Sequence, residues 1–186
     1  FRIGNVYSMM VFGIDLEDVE YGYRFDGPYQ PDKGLCFDKT KILLDPYAKS
    51  VSGRTIWGQK PDESDPFPHR GQLIREDYDW EGDKPLEKDP GELIIYELHL
   101  RSFTVHPKSG VKYRGTFAGL VEKIPYLKKL GVNCVELMPV FEFDEFENGR
   151  VVNGRRLFNY WGYSTVCFFA PKAGYSVSGP FGLEVD

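Results

Sequence analysis

Aromatic side chains near the end of the chain are the residues whose type and spacing best suit binding chemistry. Tyr160, Trp161 and Tyr163 fall within four consecutive positions, and Phe, Tyr and Trp together make up 16% of the sequence. Such rings suit ligands that present flat apolar faces beside hydroxyl groups, as sugars do. Aromatic residues also fill ordinary cores. We therefore interpret Tyr163 as a site residue, whereas a site and a core position are equally open for Trp161.

Two groups of polar residues have the composition of a metal site. Segment 142–147 carries closely spaced acids, and oxygen ligands of this type bind calcium. Asp65 and His69 form a sparser group in a stretch rich in proline and glycine. In both places an exposed polar loop is the simpler interpretation, so no metal site is predicted.

Composition argues against several classes of partner. The chain has 186 residues, enough for one or two domains, and a net charge of −5 without a basic stripe or tail. Nucleic acid and anionic membrane are therefore not expected partners. No apolar run approaches the ~20 residues that span a bilayer. Cys36, Cys134 and Cys167 have no zinc-type spacing and are odd in number, which predicts buried thiols in a reducing compartment.

The elements that would position the aromatic residues are a strand, a helix and a second strand. Apolar runs at Leu93–Leu100 and Cys134–Val140 predict the strands, and a helical pattern over Phe117–Leu130 lies between them. This order is the βαβ unit, in which the strands are parallel neighbours. Strands this apolar suit a sheet that is covered on both faces. Ligand sites of parallel α/β folds lie at the carboxyl ends of the strands, where segment 158–164 would follow.

The predicted helix has well-marked ends and one defect. Thr116 suits the N-cap, and Gly131 suits the position after the last turn. Pro125 removes a hydrogen bond inside the helix, so we expect either a kink or a new helix that begins at Pro125. The apolar stripe expected to face the core consists of Phe117, Leu120, Val121, Ile124, Leu127 and Leu130.

Outside this unit the sequence predicts less regular structure. Val6–Phe12 and Tyr21–Phe25 are strand-like, but two strands alone do not make a stable domain. Residues 31–90 are predicted to be mostly irregular, and residues 149–156 to be a polar loop. Residues 179–186 are typical of the approach to another helix. We therefore expect the chain to be part of a longer protein.

Five motifs follow one another along the chain: Tyr21–Tyr29 (YGYRFDGPY), Lys41–Lys49 (KILLDPYAK), Ile95–Thr104 (IYELHLRSFT), Val135–Val140 (VELMPV) and Asn159–Tyr163 (NYWGY). In this order they resemble the isoamylase-type glycogen and starch debranching enzymes. The motifs cover nearly the whole chain, and together they are highly specific.

The resemblance implies an α/β fold with two parts. Residues 1–50 would be the end of an N-terminal β-sandwich, a carbohydrate-binding domain of the starch-binding type. Residues 51–92 would be a linker and lead-in segment. Residues 93–186 would be the start of an α-amylase-type (β/α)₈ TIM barrel, with its first two strands and first helix.

The resemblance also implies an activity and excludes a role for this chain in the bond-breaking step. The family hydrolyses α-1,6 branch points of glycogen and starch with retention, a reaction that needs a carboxylate nucleophile and a carboxylic acid. In the family these groups follow later barrel strands. Glu97, Glu136, Asp144 and Glu147 are therefore not assigned catalytic roles, and the chain alone is predicted to be inactive.

One residue role is carried over from the family. The tyrosine that matches Tyr163 lies under the glucose ring at the cleavage subsite, where it would shield the developing oxocarbenium charge from water. Trp161 is implied to support that loop, and the role of Tyr160 is undecided. No metal or cofactor is predicted. The expected partner is an α-glucan polysaccharide, and the expected compartment is the cytosol or a plastid.

Three other interpretations stay open. A glucan branching enzyme is a transferase on the same fold, although Asn159–Tyr160 and Leu43–Lys49 favour debranching. A non-catalytic glucan-binding subunit on a degenerate barrel would differ only in carboxylates further along the protein. A general interaction module with an accidental aromatic loop is disfavoured by five motifs in one order.

Overall fold

The computed structural model describes residues 2–16, 19–75, 77–147, 149–177 and 185. The strands in chain order are β1 Arg2–Ile3, β2 Val6–Tyr7, β3 Glu20–Tyr21, β4 Tyr29–Gln30, β5 Leu35–Cys36, β6 Ser50–Ser52, β7 Arg70–Gln72, β8 Ile95–Leu98, β9 Cys134–Leu137, β10 Phe141–Phe143, β11 Val151–Val152, β12 Arg155–Arg156 and β13 Thr165–Pro171. The α-helices are α1 Leu100–Thr104, α2 Phe117–Val121 and α3 Ile124–Leu130. Within these ranges no helix is long and apolar enough to cross a membrane.

The parallel pair β8 and β9 confirms the predicted βαβ unit. Ile95 lies opposite Cys134, and Leu98 lies opposite Leu137. Both strands are shorter than predicted, because the chain turns into α1 at Leu100 and β9 ends two residues before Pro139. The described residues cover the pair only in part, because Leu98 is buried whereas β9 is mostly exposed.

The helical pattern over Phe117–Leu130 is two helices, because the chain breaks between α2 and α3 near Pro125, as expected. Thr116 caps α2 by accepting a hydrogen bond from the backbone N–H of Gly119, as predicted. Pro125 lies in the first turn of α3, where its missing N–H is tolerated. The new helix expected to begin at Pro125 is therefore confirmed, although it begins one residue earlier, at Ile124. The break also turns part of the stripe away from the core, leaving Val121, Ile124 and Leu130 exposed.

Antiparallel strands organise the first half of the chain. β3, β7 and β6 form one sheet, in which Val51 lies opposite Gly71. The prediction that residues 31–90 are mostly irregular is confirmed, with the short strands β5, β6 and β7 as the exceptions. The strand predicted over Val6–Phe12 is wrong beyond Tyr7, and the side chains from Met9 to Phe12 are exposed.

A second antiparallel pair lies after the βαβ unit. β10 pairs with β13, so that Phe143 lies opposite Thr165. The polar loop predicted at residues 149–156 is instead the hairpin β11–β12, with its turn at Asn153 and Gly154. Their φ angles of 50° and 72° fit the tight hairpin turn that Asn-Gly favours.

The buried residues form two clusters. One contains Ala48, Val51, Cys167 and Ala170. The other contains Leu100, Phe143 and Tyr175, with Trp57, Phe117, Leu120 and Val140 packed against it. The prediction of buried thiols is confirmed for Cys167 and wrong for Cys36, which is exposed. The helix approach predicted at residues 179–186 lies outside the described residues, apart from Val185.

Candidate functional site

The aromatic segment, residues 158–163, runs in irregular backbone between β12 and β13. Tyr160 is half-buried, whereas Trp161 and Tyr163 are 61% and 66% exposed. The ring centroids of Trp161 and Tyr163 lie 6.4 Å apart, with an angle of 46° between the ring planes. Two of the predicted site residues therefore present open rings side by side, and the third is packed beneath the surface.

Tyr160 anchors the aromatic segment to the start of α1. Its ring stacks on the imidazole of His99 at 4.7 Å and meets Trp57 edge-on at 5.8 Å. The backbone N–H of Ser102 donates to Nδ1 of His99, so the ring proton is on Nε2. Nε2 then donates to the carbonyl oxygen of Tyr160 at 2.9 Å, and the hydroxyl groups of Ser102 and Tyr160 lie 3.0 Å apart. Both polar ends of Tyr160 thus have partners.

Two residues, one on each side of Tyr160, fix the path of the aromatic segment. Gly162 has a φ of 79°, and a Cβ atom at this position would lie 2.6 Å from the ring of Phe143. Only glycine fits so close to the ring. On the other side, the backbone N–H of Asn159 donates to the carbonyl oxygen of Glu145 at 2.8 Å. The backbone that carries Tyr163 is therefore seated on segment 143–145.

Trp57 fills the space behind the aromatic segment. Its ring stacks on Tyr175 at 5.4 Å and touches Phe143 edge-on at 5.9 Å. The guanidinium of Arg101 lies 4.8 Å from the centroid of the Trp57 ring. The buried position of Trp57 was not predicted from the sequence, because a single tryptophan in a polar stretch has no periodic neighbours that would mark it as buried.

A buried ion cluster of Glu142, Glu145 and Lys172 lies behind this wall, and each of its side chains is 0% exposed. The Lys172 ammonium donates at 2.8 Å to Glu142, to Glu145 and to the carbonyl oxygen of Phe143. The exposed acidic loop predicted at 142–147 is therefore wrong for these two acids. Their partner lies 27 and 30 residues further along the chain, where no local pattern connects it to them.

The remaining carboxylate oxygens of the ion cluster accept from backbone groups. Oε2 of Glu142 accepts from the N–H of Ala173, and Oε1 of Glu145 accepts from the N–H of Gly58. Every carboxylate oxygen of the cluster therefore has a donor. Three separate stretches of chain, near residues 58, 142–145 and 172, are joined at one point.

Burial and charge shift several pKa values around this cluster. Burial raises the pKa of Glu142 to about 7, against the opposing effect of Lys172. Burial also acts to raise the pKa of Asp144, but hydrogen bonds from Arg54 and from the backbone N–H of Phe146, together with the Arg54 charge, outweigh it and lower that pKa. Burial and the Arg54 charge lower the pKa of His69 to about 4. His69 is therefore neutral at physiological pH.

Of the two residues considered as metal ligands, Asp65 has another partner and His69 does not use its Nε2 atom within the part of the chain that the structure describes. Asp65 accepts from the guanidinium of Arg70 at 2.6 Å. Nε2 of His69 is buried without a hydrogen-bond partner among the described residues. No group of three His, Cys, Asp or Glu side chains in the described ranges is arranged to hold a metal ion.

A cavity of about 500 Å³ lies beside the exposed ring of Tyr163. This volume is within the usual range of small-molecule sites, ~300–1,000 Å³. Its wall combines apolar surface with groups that can bind hydroxyls, from Glu147, Arg150, Leu157, Phe158, Asn159 and Tyr163. A second cavity of about 240 Å³, beside Arg54 and Asp65, includes no residue of the aromatic segment.

Comparison with solved structures defines the class of protein. A crystal structure titled as a pullulanase complexed with maltotetraose, from Anoxybacillus sp. LM18-11, matches the chain with a TM-score of 0.53 and 29% sequence identity. The match covers 74% of this chain and 20% of that chain. In fold the chain is thus similar to the pullulanases, debranching enzymes with an α-amylase fold. No family model matches the chain.

Comparison of sequences is more specific. The chain is 44% identical over 181 residues to "Isoamylase SU1, chloroplastic" of Zea mays, covering 96% of this chain and 23% of the relative. It is 36% identical over 175 residues to a glycogen debranching enzyme of Serratia proteamaculans (strain 568), covering 84% of this chain and 25% of the relative. The resemblance to isoamylase-type debranching enzymes is confirmed over most of the chain, which spans about a quarter of the length of these curated relatives.

Glu142 and His69 should give the free energy of unfolding opposite dependences on pH. The folded pKa of Glu142, about 7, exceeds its ordinary 4.5, so its contribution is full below pH 4.5 and is lost as pH rises to about 7. The folded pKa of His69, about 4, is below its ordinary 6.5, so its contribution is present above pH 6.5 and is lost as pH falls to about 4.

Single substitutions should therefore separate the two effects in a protein that carries this chain. With Glu142→Gln, the free energy of unfolding should rise with pH between 4 and 6.5, as the His69 effect alone dictates. With His69→Phe, it should fall between pH 4.5 and 7. Denaturant titrations across this range measure both slopes, and slopes of the same sign in the two variants would contradict the assignment.

Gly162→Ala should destabilise the aromatic segment more than an alanine at an open glycine. The new Cβ would lie 2.6 Å from the Phe143 ring, at a φ of 79°. We expect a loss of ~2 kcal/mol or more in the free energy of unfolding. Gly154→Ala is the control, because it has a similar φ of 72° and open space around it. Equal losses in the two variants would show that the contact with Phe143 is not constraining.

Proposed function

We propose that the chain is the part of an α-1,6-glucan debranching hydrolase that holds the glucose ring at the cleavage site. The observation that carries this proposal is the ring of Tyr163, which is 66% exposed beside a cavity of sugar-binding size. The sequence similarity to isoamylases and to a glycogen debranching enzyme supports the activity. The maltotetraose bound to the similar pullulanase supports an α-glucan, such as glycogen or amylopectin, as the partner.

We further propose that β8, its crossover helices and β9 are the first two strands of a (β/α)₈ barrel. A complete barrel takes ~250 residues, and the chain is too short to hold one beside its antiparallel first half. The exposed side chains of Ile95, Val135 and Leu137 would then face other parts of the barrel. Residues 1–50 would end a β-sandwich domain, and residues 51–92 would lead from it into the barrel.

In this role Tyr163 acts on the charge that develops during cleavage. Retaining hydrolysis passes through an oxocarbenium-like transition state. The face of an aromatic ring attracts a cation by ~0.5–2 kcal/mol, the larger value applying where water is excluded. Because the sugar is more cationic in the transition state than in the ground state, this stacking favours catalysis over binding.

The acidic residues behind the aromatic segment are poorly placed to be the reacting carboxylates. Glu142 and Glu145 are wholly buried on Lys172, and Asp144 pairs with Arg54 at 3.2 Å. A nucleophile must reach the sugar, and a buried, ion-paired carboxylate does not. The reacting acids are accordingly proposed to come from another part of the parent protein, and no cofactor is involved.

The rival activities differ in their products. A branching transferase moves glucan chains, whereas a debranching hydrolase releases short linear ones, so iodine staining of products formed by the parent protein separates them. A non-catalytic subunit would bind glucan without changing it. The Zea mays relative is named chloroplastic, which supports a plastid location if the source is a plant or alga; otherwise the cytosol is proposed.

Tyr163→Ala in the parent protein should lower kcat by roughly tenfold to thirtyfold, because the stacking is strongest on the developing charge. Tyr163→Phe keeps the ring and should retain most of the activity. Initial rates on amylopectin at saturating substrate measure both. An unchanged kcat in Tyr163→Ala would remove Tyr163 from the site.

The 186-residue chain itself should release no reducing ends from glycogen or amylopectin. This follows from the proposal that the reacting acids belong to another part of the parent protein. A reducing-sugar assay, with the parent protein as the positive control, measures this directly. Turnover by the chain alone would overturn the placement of the reacting acids elsewhere.

A further inference from the structure

We propose that Lys172 is a positioning residue, which acts through the buried ion cluster to hold Tyr163 under the substrate. This inference rests on the proposed function and adds a residue far from the sugar to it. Lys172 is 0% exposed and lies nine positions after Tyr163, on the other side of β13. It therefore touches no substrate and can act only through the residues it holds.

The Lys172 ammonium group fixes three parts of the chain relative to one another. Lys172 donates at 2.8 Å to the carbonyl oxygen of Phe143 and at 2.8 Å to the carboxylate of Glu145. The other oxygen of Glu145 holds the backbone of Gly58, next to Trp57. One cation thus sets the relative positions of strand β10, of the residues just after it and of the Trp57 loop.

The residues that Lys172 holds in turn support the aromatic segment. Phe143 supports Gly162, because its ring fills the place of a Cβ atom at that position. The carbonyl oxygen of Glu145 binds the N–H of Asn159, and Trp57 packs on Tyr160. All three supports of the aromatic segment therefore connect to Lys172 within one or two contacts. Tyr163 has no such support of its own, since its ring is mostly exposed.

An amide cannot replace the carboxylate of Glu145. Its two oxygens each accept a hydrogen bond, one from Lys172 and one from Gly58. Glutamine has one acceptor oxygen and one NH₂ group. In either orientation its NH₂ would therefore face a donor, and one of the two links would open. The size of the side chain would be unchanged, so Glu145→Gln weakens the support without creating a cavity.

The test is a double-mutant cycle on kcat in the parent protein, with Glu145→Gln, Tyr163→Ala and the two combined. Misplacing a positioned group can reduce kcat by up to about 100-fold. We expect Glu145→Gln to lower kcat by about tenfold, and by no more than Tyr163→Ala does, while KM changes by less than about threefold. Combined with Tyr163→Ala, it should cause little further loss, because the group it positions is already gone.

Controls distinguish positioning from a purely structural role. Glu63→Gln removes an exposed partner of Lys60 at 3.1 Å and should leave kcat unchanged. All rates are measured below the melting temperature of each variant. A lowered melting temperature with unchanged kcat, or losses that multiply in the double variant, would overturn the inference. If Tyr163→Ala alone leaves kcat unchanged, the proposed function fails first, and the role of Lys172 fails with it.

Lys172→Met provides a second arm, because it removes the cation and keeps an unbranched side chain. It should lower kcat at least as much as Glu145→Gln, and Lys60→Met is its exposed control. If Lys172→Met does not fold, Glu145→Gln decides the question alone. A folded Lys172→Met enzyme with normal kcat would overturn the inference directly.

Discussion

A lysine ammonium removed from water must be surrounded by acceptors, and three of them meet Lys172 at 2.8 Å. Leaving such a charge unpaired inside a protein costs several kcal/mol, so these contacts cannot be given up one at a time. The acceptors belong to residues that lie 27 to 30 positions away in sequence. The need to pair the buried ammonium therefore joins distant parts of the chain, and Trp57 and Phe143 pack on one another beside this junction.

In the proposed role, this support explains how the exposed ring of Tyr163 can still be held in place. The backbone around Tyr163 is held by Phe143, Glu145 and the anchor at Tyr160, whereas the ring itself stays open. A binding residue needs such a division, because it must leave its face free and yet lose little entropy when a ligand arrives. The buried ion cluster holds the backbone, and the rings of Trp161 and Tyr163 stay open on the surface.

Local patterns in the sequence predicted the parts that depend on neighbours in the chain. The parallel pair, the Thr116 cap and the helix restart near Pro125 all follow from periodicity and from the chemistry of single residues. The ion cluster could not be predicted in this way. In the sequence, the acidic residues of the cluster have the pattern of an exposed loop. Lys172 lies next to them only because β10 pairs with β13. Spacing marked Tyr163 as a candidate site residue, whereas its proposed place under the glucose ring came from the family resemblance.

The central claim is that the ring of Tyr163 forms the floor of a glucose-binding subsite. A crystal structure of the parent protein with a bound maltooligosaccharide tests it most directly. We expect a glucose ring stacked on Tyr163 at van der Waals distance, ~4 Å, with Tyr160 still packed on His99. A sugar bound elsewhere, with the Tyr163 ring covered by another part of the protein, would contradict it.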